Sequence, residues 1–151
     1  RGSVIVNGTE CRHRTNRFYE NIGVDFEFST MYEKLSAREN LQFFASLYEK
    51  SGRPIEELLE MVGLQNDADK RVSDFSKGMK SRLNFIKAPL HDPALLLLDE
   101  PTSNLDSLNE GIILKSLKES HEDKTVVLVS HRKSTMSLAD IVYEIDNGRI
   151  S

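Results

Sequence analysis

The stretch Pro93-Ala94-Leu95-Leu96-Leu97-Leu98-Asp99-Glu100-Pro101-Thr102 decides the fold of this chain. Its four consecutive leucines predict a short strand buried on both faces, as in a parallel sheet. An unpaired carboxylate is costly to bury, so Asp99 and Glu100 must emerge where the strand ends. Open α/β sheets bind ligands at that edge, so the two carboxylates are candidates for a binding site. The alternative interpretation is a buried strand followed by a solvated acidic turn. Adjacent strand residues point to opposite faces, so the two carboxylates can take different roles.

Composition and charge exclude several classes of protein. The chain has 151 residues, 38% of them hydrophobic and 29% charged, as expected of one globular domain whose apolar runs are too short to span a bilayer. A net charge of −4 without a basic stripe argues against nucleic acid as the main ligand. The single cysteine, Cys11, fits a cytoplasmic protein. Because the chain begins with Arg and has no signal-peptide pattern, we expect a cut piece of a longer protein.

The region before residue 36 is predicted to contain two strands. Residues 4–6 form the first, which runs into a tight turn at Asn7-Gly8, and residues 22–28 form the second. From residue 36 to residue 91 the patterns are helical. The predicted helices begin at the capping box Ser36-Ala37-Arg38-Glu39, at Pro54 and at Ser76, and Pro89 is expected to kink or end the third.

Helical and strand patterns alternate again after residue 93. The first predicted element is a helix opened by the capping-box spacing Ser103-Asn104-Leu105-Asp106, with Leu108, Ile112 and Leu117 on one face. A second buried strand at 125–129, a helix at 134–139, a strand at 141–145 and a turn at Asn147-Gly148 follow. This order predicts parallel strands joined by right-handed crossovers. We therefore expect an α/β core formed by residues 1–35 and 92–151, with residues 36–91 as an inserted helical subdomain.

Two groups of residues carry the predicted chemistry. Neighbouring parallel strands end at the same edge of a sheet, so Asp99 and Glu100 should share a crevice with His131, although an isolated histidine is more often structural. Ser76-Lys77-Gly78-Met79 places a hydroxyl and a glycine at a helix start, where free N–H groups favour a phosphate. The alternative for Ser76 is an ordinary N-cap.

Together these residues resemble the nucleotide-binding domain of ATP-binding cassette proteins, over nearly the whole chain. Leu95–Glu100 is similar to the Walker B motif, Ser76–Met79 to the signature motif, Ser103–Asp106 to the D-loop and His131 to the switch histidine. The resemblance implies a P-loop NTPase-like sheet, with ATP and Mg²⁺ as cofactors.

The same resemblance implies a role for each motif. Asp99 holds Mg²⁺, Glu100 polarises the attacking water and His131 contacts the γ-phosphate. The residues Ser76, Lys77, Gly78 and Met79 close over ATP held by a second nucleotide-binding domain, and Ser103 and Asp106 communicate across that dimer.

Three departures from the family pattern stand out. No Gly-Lys-Ser or Gly-Lys-Thr occurs, so the Walker A loop is missing and the isolated chain is expected to be inactive. Glu27 stands where the family carries its Q-loop glutamine; it can still ligate Mg²⁺ but adds negative charge. Lys77 replaces a common signature glycine.

Residues 32–44 resemble export-type ATPases of drug and peptide transporters. This implies a transmembrane permease partner, no nucleic acid, and a cytoplasmic location on the inner face of the cell membrane. The leading hypothesis is therefore the ATPase subunit of an exporter, lacking its N-terminal strands. The alternatives are a degenerate nucleotide-sensing module without turnover and, less favoured because no basic surface is evident, a family member acting on the ribosome or DNA.

Overall fold

The computed structural model describes residues 2–13, 15–26, 30–103, 105–120, 123–146 and 149–150, without the side chains of His13, Ser120 and Ile150. The strands are β1 (Ile5–Val6), β2 (Thr9–Glu10), β3 (Ile22–Asp25), β4 (Leu95–Asp99), β5 (Thr125–Val129), β6 (Ile145–Asp146) and β7 (Arg149–Ile150). The α-helices are α1 (Asn16–Tyr19), α2 (Ala37–Ala45), α3 (Ile55–Met61), α4 (Lys77–Lys87), α5 (Ser107–Ser120) and α6 (Lys133–Met136). None of the helices in these ranges is long and apolar enough to cross a bilayer.

A three-stranded parallel sheet of order β3-β4-β5 forms the centre of the fold. Leu96 of β4 is paired in register with Gly23 of β3 and Val126 of β5. The predicted parallel sheet is confirmed for these strands. The smaller ribbons β1–β2 and β6–β7 are both antiparallel, and Asn7 and Gly8 turn the first with φ values of 47° and 76°.

The prediction that β4 and β5 are buried on both faces is wrong, because the described residues cover only one face of these strands. Leu96 and Leu98 are 1% and 0% exposed and join the core under α4 and α5, but Leu97 is 36% exposed. On β5, Val127 and Val129 are 45% and 50% exposed. Because the described helices bury only one face, side chains alternate in burial along each strand, although the sequence is continuously apolar.

The helical patterns before β4 are confirmed. Ser36 and Glu39 form both hydrogen bonds of the capping box at the start of α2. Gly63, two residues after the end of α3, has a φ of 66°, and α4 ends at Lys87, two residues before Pro89. The connection at 65–74 contains two 3-10 helices, Gln65–Asp67 and Val72–Asp74.

The predicted start and face of α5 need correction. The helix begins at Ser107, and the carboxylate of Asp106, rather than the Ser103 hydroxyl, accepts the N–H of Asn109 at 2.9 Å. Leu108 is 75% exposed, whereas Ile113 is fully buried. Of the predicted face, Leu117 is buried and Ile112 is partly buried, so Leu108 is the member that was wrong. Asn104 lies outside the described residues.

The final predicted strand is also wrong in extent and pairing. Only Ile145–Asp146 is a strand, and it pairs antiparallel with β7 rather than joining the central sheet. This local pairing occupies the strand and leaves Ile141, Val142 and Tyr143 exposed. The preceding helix is shorter than predicted, at Lys133–Met136, and the predicted turn Asn147-Gly148 lies outside the described residues.

Candidate functional site

Glu100 and His131 meet at the carboxyl edge of the central sheet. β4 and β5 run parallel, and the Glu100 N–H continues their ladder by donating to the Val129 carbonyl at 2.9 Å. His131 Nδ1 lies 2.8 Å from Glu100 Oε1. The histidine side chain is 78% exposed and the glutamate side chain only 22%. The topology therefore brings a carboxylate and an imidazole together from two strand ends.

Glu100 is held in an unusual state. Its φ is 49°, in the left-handed region, which costs a residue with a Cβ about 1–2 kcal/mol. Its Oε2 atom is buried and has no hydrogen-bond partner among the described residues. A cavity of about 20 Å³ beside it is lined by Asp25, Phe26, Ser81, Asn84, Glu100, Pro101 and Ser103. That volume is sufficient for a single water molecule, and both Glu100 and Asp25 are among the residues that line it.

Asp99, the last residue of β4, is the candidate metal ligand in the described part of the chain. It is paired in register with Val129 and is half-buried, and no described residue forms an ion pair with its carboxylate. The described residues contain no cluster of three or more His, Cys, Asp or Glu suited to a metal. Mg²⁺ commonly binds one or two protein carboxylates together with water and substrate phosphates, so Asp99 fits that mode. Glu27 lies outside the described residues.

A buried polar cluster beside the cavity was not predicted from the sequence. Asp25 accepts a hydrogen bond from Asn84 of α4, and both side chains are less than 5% exposed. Burial raises the pKa of Asp25 to about 7, against the opposing effects of Lys87 and the Asn84 hydrogen bond. Asn84 also donates to the Phe26 carbonyl at 3.2 Å. Two features of the sequence could have indicated this cluster: the acidic Asp25 at the end of a predicted strand and the amide of Asn84 among the apolar residues of α4.

The start of α4 has the geometry of an N-cap. The Ser76 hydroxyl accepts the N–H of Met79 at 3.2 Å, and Ser76 and Lys77 are both exposed. Gly78 has no room for a side chain because a Cβ there would lie 2.5 Å from Asn109 of α5. The hydrogen bond of Ser76 is thus that of an ordinary N-cap, and close packing against Asn109 explains why glycine is found at position 78.

Asp106 ties the loop after β4 to the start of α5. Its two carboxylate oxygens accept the backbone N–H of Asn109 at 2.9 Å and the side-chain amide of Asn109 at 2.7 Å. These bonds hold the pKa of Asp106 below its usual range. Ser103 lies at the other end of the loop, where it lines the Glu100 cavity. Through Asn109, Asp106 is also connected to Gly78 on α4.

Comparison with known proteins relates this chain to a large family. A family model described as ABC transporter matches residues 1–103. The fluoroquinolones export ATP-binding protein of Mycobacterium tuberculosis (strain CDC 1551 / Oshkosh) is 43% identical over 135 residues, which cover 88% of this chain and 45% of that protein. The bacitracin transport ATP-binding protein BcrA of Enterococcus faecalis is 37% identical over 155 residues, covering 99% and 50% respectively. The chain spans about half the length of these curated relatives.

Solved structures share the fold. An ATP-binding subunit of an ABC transporter matches with a TM-score of 0.85 at 27% identity, over 99% of this chain and 65% of that chain. The ATP-binding cassette MJ0796, solved as a dimer in a post-hydrolysis state with ADP and Pi, matches with a TM-score of 0.84 at 24% identity, over 99% and 71% of the two chains. This second likeness concerns the fold alone. The predicted P-loop NTPase-like α/β class is confirmed.

Proposed function

We propose that this chain, which belongs to the ABC transporter family, forms part of an ATP-hydrolysing subunit that powers export. The contact between Glu100 and His131, 2.8 Å apart at the end of the central strand, carries the proposal. The relatives are themselves named for fluoroquinolone export and bacitracin transport, which supports an exporter over other members of the family. The domain division proposed with it is an α/β core of residues 1–35 and 92–151 and a helical subdomain of residues 36–91.

Glu100 is proposed to orient the water that attacks the γ-phosphate. Its buried, unpartnered Oε2 atom and the water-sized cavity beside it support this role. His131 contacts the other oxygen of the same carboxylate, and its exposed ring would contact the γ-phosphate. Asp99 and Glu27 would hold Mg²⁺, which neutralises charge on the transferring phosphate when bound. Preorganised groups of this kind contribute by positioning and electrostatics rather than by covalent chemistry.

The remaining site residues are proposed to act across a dimer of two such domains. Ser76, Lys77, Gly78 and Met79 at the start of α4 would cover ATP held by the second domain, and Ser103 and Asp106 would face that domain across the interface. The link from Gly78 through Asn109 to Asp106 supports a coupling of these two segments. ATP would then hold the dimer together until it is hydrolysed.

A transmembrane permease completes the proposed assembly. It would place the chain on the cytoplasmic face of the cell membrane and would select the exported compound, with no nucleic acid involved. Because the 151 residues contain no Gly-Lys-Ser or Gly-Lys-Thr, we propose that the phosphate-cradling loop is supplied from outside them and that the isolated chain does not hydrolyse ATP.

The test is phosphate release from MgATP by a chimera in which this chain replaces the matching region of the M. tuberculosis relative. We expect turnover by the chimera, its loss in Glu100→Gln, and no change in the matched control Glu119→Gln on the exposed side of α5. Turnover that survives Glu100→Gln would overturn the role of Glu100. Turnover by the unmodified chain would overturn its proposed inactivity.

The alternative function is a nucleotide-sensing module without turnover. It is motivated by the carboxylate of Glu27 in place of an amide and by Lys77 in the signature-like segment. A chimera that binds ATP but releases no phosphate, with or without Glu100→Gln, would favour this alternative. Restoration of turnover by Glu27→Gln would then identify Glu27 as the cause.

A further inference from the structure

The carboxylate of Glu110 on α5 is engaged on both sides. Its Oε2 atom accepts a hydrogen bond from Arg132 Nη1 at 2.6 Å, and its Oε1 atom accepts one from the Ser134 hydroxyl at 2.6 Å. The Glu110 side chain is 15% exposed and that of Arg132 is 27% exposed. The two donor residues lie on either side of Lys133, the first residue of α6, and Arg132 directly follows His131. One carboxylate therefore holds the backbone segment that follows the histidine.

The same segment is anchored at further points. The Arg132 N–H donates to the Ser130 hydroxyl at 3.1 Å, which connects the residues on either side of His131. Arg132 Nη2 lies 3.5 Å from the Leu105 carbonyl in the loop after β4. The hydroxyls of Thr102 and Thr135, both fully buried, lie 3.4 Å apart and join that loop to α6. The segment is thus attached to α5 and to the loop that carries Asp106.

His131 itself has little to hold it. Its ring is 78% exposed and has one hydrogen-bond partner among the described residues, Glu100. An exposed side chain loses rotamer freedom when it is held in one place, so a single contact at the surface is a weak restraint. Its position must come from the backbone on either side, because packing cannot supply it.

We propose that Glu110 is a positioning residue that holds the Ser130–Ser134 segment so that the His131 ring stays on Glu100. The importance of that position for turnover rests on the proposed function, but the placement of the ring does not. Through Arg132 and the Leu105 carbonyl, the same residue connects the histidine to the loop carrying Ser103 and Asp106.

An ordinary surface ion pair is the competing explanation. Exposed pairs contribute little to stability because water screens them and both side chains must be ordered. The Glu110 cluster differs, because both partners are mostly shielded and each carboxylate oxygen has its own short donor. The Ser134 hydrogen bond, with Arg132, also keeps the pKa of Glu110 below its usual range, so the carboxylate stays charged.

The decisive measurement is the Cε1–H resonance of His131 in the 151-residue chain, assigned among the four histidines by its loss in His131→Asn. Glu100→Gln gives the position of the signal when the Glu100 carboxylate contact is removed. We expect Glu110→Ala to displace the His131 signal toward that position. The matched control Glu119→Ala, a glutamate on the same helix in an exposed pair with Lys115, should leave it in place. An unmoved signal in folded Glu110→Ala overturns the proposal.

Two further variants keep the test decisive. If Glu110→Ala does not fold, Ser134→Ala removes one of the two donors and should produce a smaller displacement in the same direction; no displacement overturns the proposal. The charge exchange Glu110→Arg with Arg132→Glu should return the signal toward its original position, whereas either change alone should not. A structural effect unrelated to the pair would not be rescued in this way.

Turnover of the chimera separates this proposal from the proposed function. With His131 misplaced, we expect Glu110→Ala to lower kcat by about 10- to 100-fold with KM unchanged. A displaced resonance with unchanged kcat would support the positioning by Glu110 and overturn the proposed role of His131. An unmoved resonance with reduced kcat would overturn the positioning alone.

Discussion

Gly78 of α4 lies directly against Asn109 of α5, so closely that a Cβ on the glycine would be 2.5 Å from the Asn109 side chain. Asn109 cannot easily move away, because Asp106 accepts hydrogen bonds from both its backbone and its side chain. The start of α4 and the start of α5 are therefore in contact at a point where only glycine fits. This packing accounts for Gly78 without reference to any nucleotide.

Gly78→Ala should destabilise the chain. Helix propensity alone favours alanine by about 1 kcal/mol, but overpacking against a fixed neighbour costs about 1–3 kcal/mol and should dominate. Gly111, in the middle of α5, is the matched control because nothing lies within 4 Å of its Cβ position, so Gly111→Ala should stabilise. Urea unfolding of both variants measures the difference. In an Asn109→Ala background the cost of Gly78→Ala should disappear; an equal cost in both backgrounds would contradict the packing argument.

Asp25 should make stability fall as pH rises. Its pKa is raised to about 7 by burial, from 3.8, so the folded state binds the proton more tightly than the unfolded state. The associated stability is complete below the unfolded pKa and is lost as pH rises through the folded value. Asp25→Asn keeps an acceptor for Asn84 without the charge. Its free energy of unfolding, relative to the original chain, should therefore increase between pH 5 and pH 8, about the window of this titration.

Asp92 is the control for that titration. The Lys124 hydrogen bond lowers the pKa of Asp92, so its contribution is already complete well below neutral pH. Asp92→Asn should therefore lower the free energy of unfolding by the same amount across the pH window used for Asp25. A parallel result for Asp25→Asn and Asp92→Asn, in metal-free buffer, would contradict the effect assigned to burial of Asp25.

His91 should act in the opposite direction. It is 2% exposed, stacks on Tyr48 with ring centroids 3.7 Å apart, and its pKa is lowered by burial. The unfolded state therefore takes up the proton first, and stability is lost as pH falls through the unfolded value of about 6.5. Between pH 7.5 and pH 5.5, about one pH unit on each side of the unfolded pKa, the original chain should lose more stability than His91→Gln. Thermal unfolding of both proteins measures this difference. Asp25 is common to both proteins, so its titration cancels; identical slopes would contradict the assignment.

The open face of the central sheet should promote self-association of the isolated chain. Leu97, Val127 and Val129 lie on this face and are all at least 36% exposed. Val127→Lys places a charge on this surface and should reduce the concentration dependence of sedimentation. Leu108→Lys is the control, because Leu108 is 75% exposed and belongs to α5 rather than to the sheet. An equal effect of the two substitutions would show that general charge, rather than this face, controls association.

Local patterns in the sequence were sufficient for many elements. The Ser36 capping box and the end of α4 before Pro89 depend on residues a few positions apart, and each is found in the structure. The predictions that were wrong concern burial and pairing. An apolar run such as Leu95–Leu98 has the same composition whether one or both of its faces are covered, and Ile141–Ile145 does not reveal whether it joins the sheet or a local ribbon.

The sequence by itself determined the helices α2 to α4 before β4, the parallel class of the central sheet and the emergence of Asp99 and Glu100 at its edge, because alternation of hydrophobic patterns and the cost of burying charge act locally. The shared crevice of Glu100 and His131 also followed from the sequence, because parallel strands end at the same edge, and the structure confirms that contact at 2.8 Å. Only the tertiary structure decided the contacts of Asp25 with Asn84 and of Glu110 with Arg132, which join residues 59 and 22 positions apart. These contacts depend on how the helices pack against the buried face of the sheet. The pattern of apolar residues along the chain does not specify which distant elements pack together.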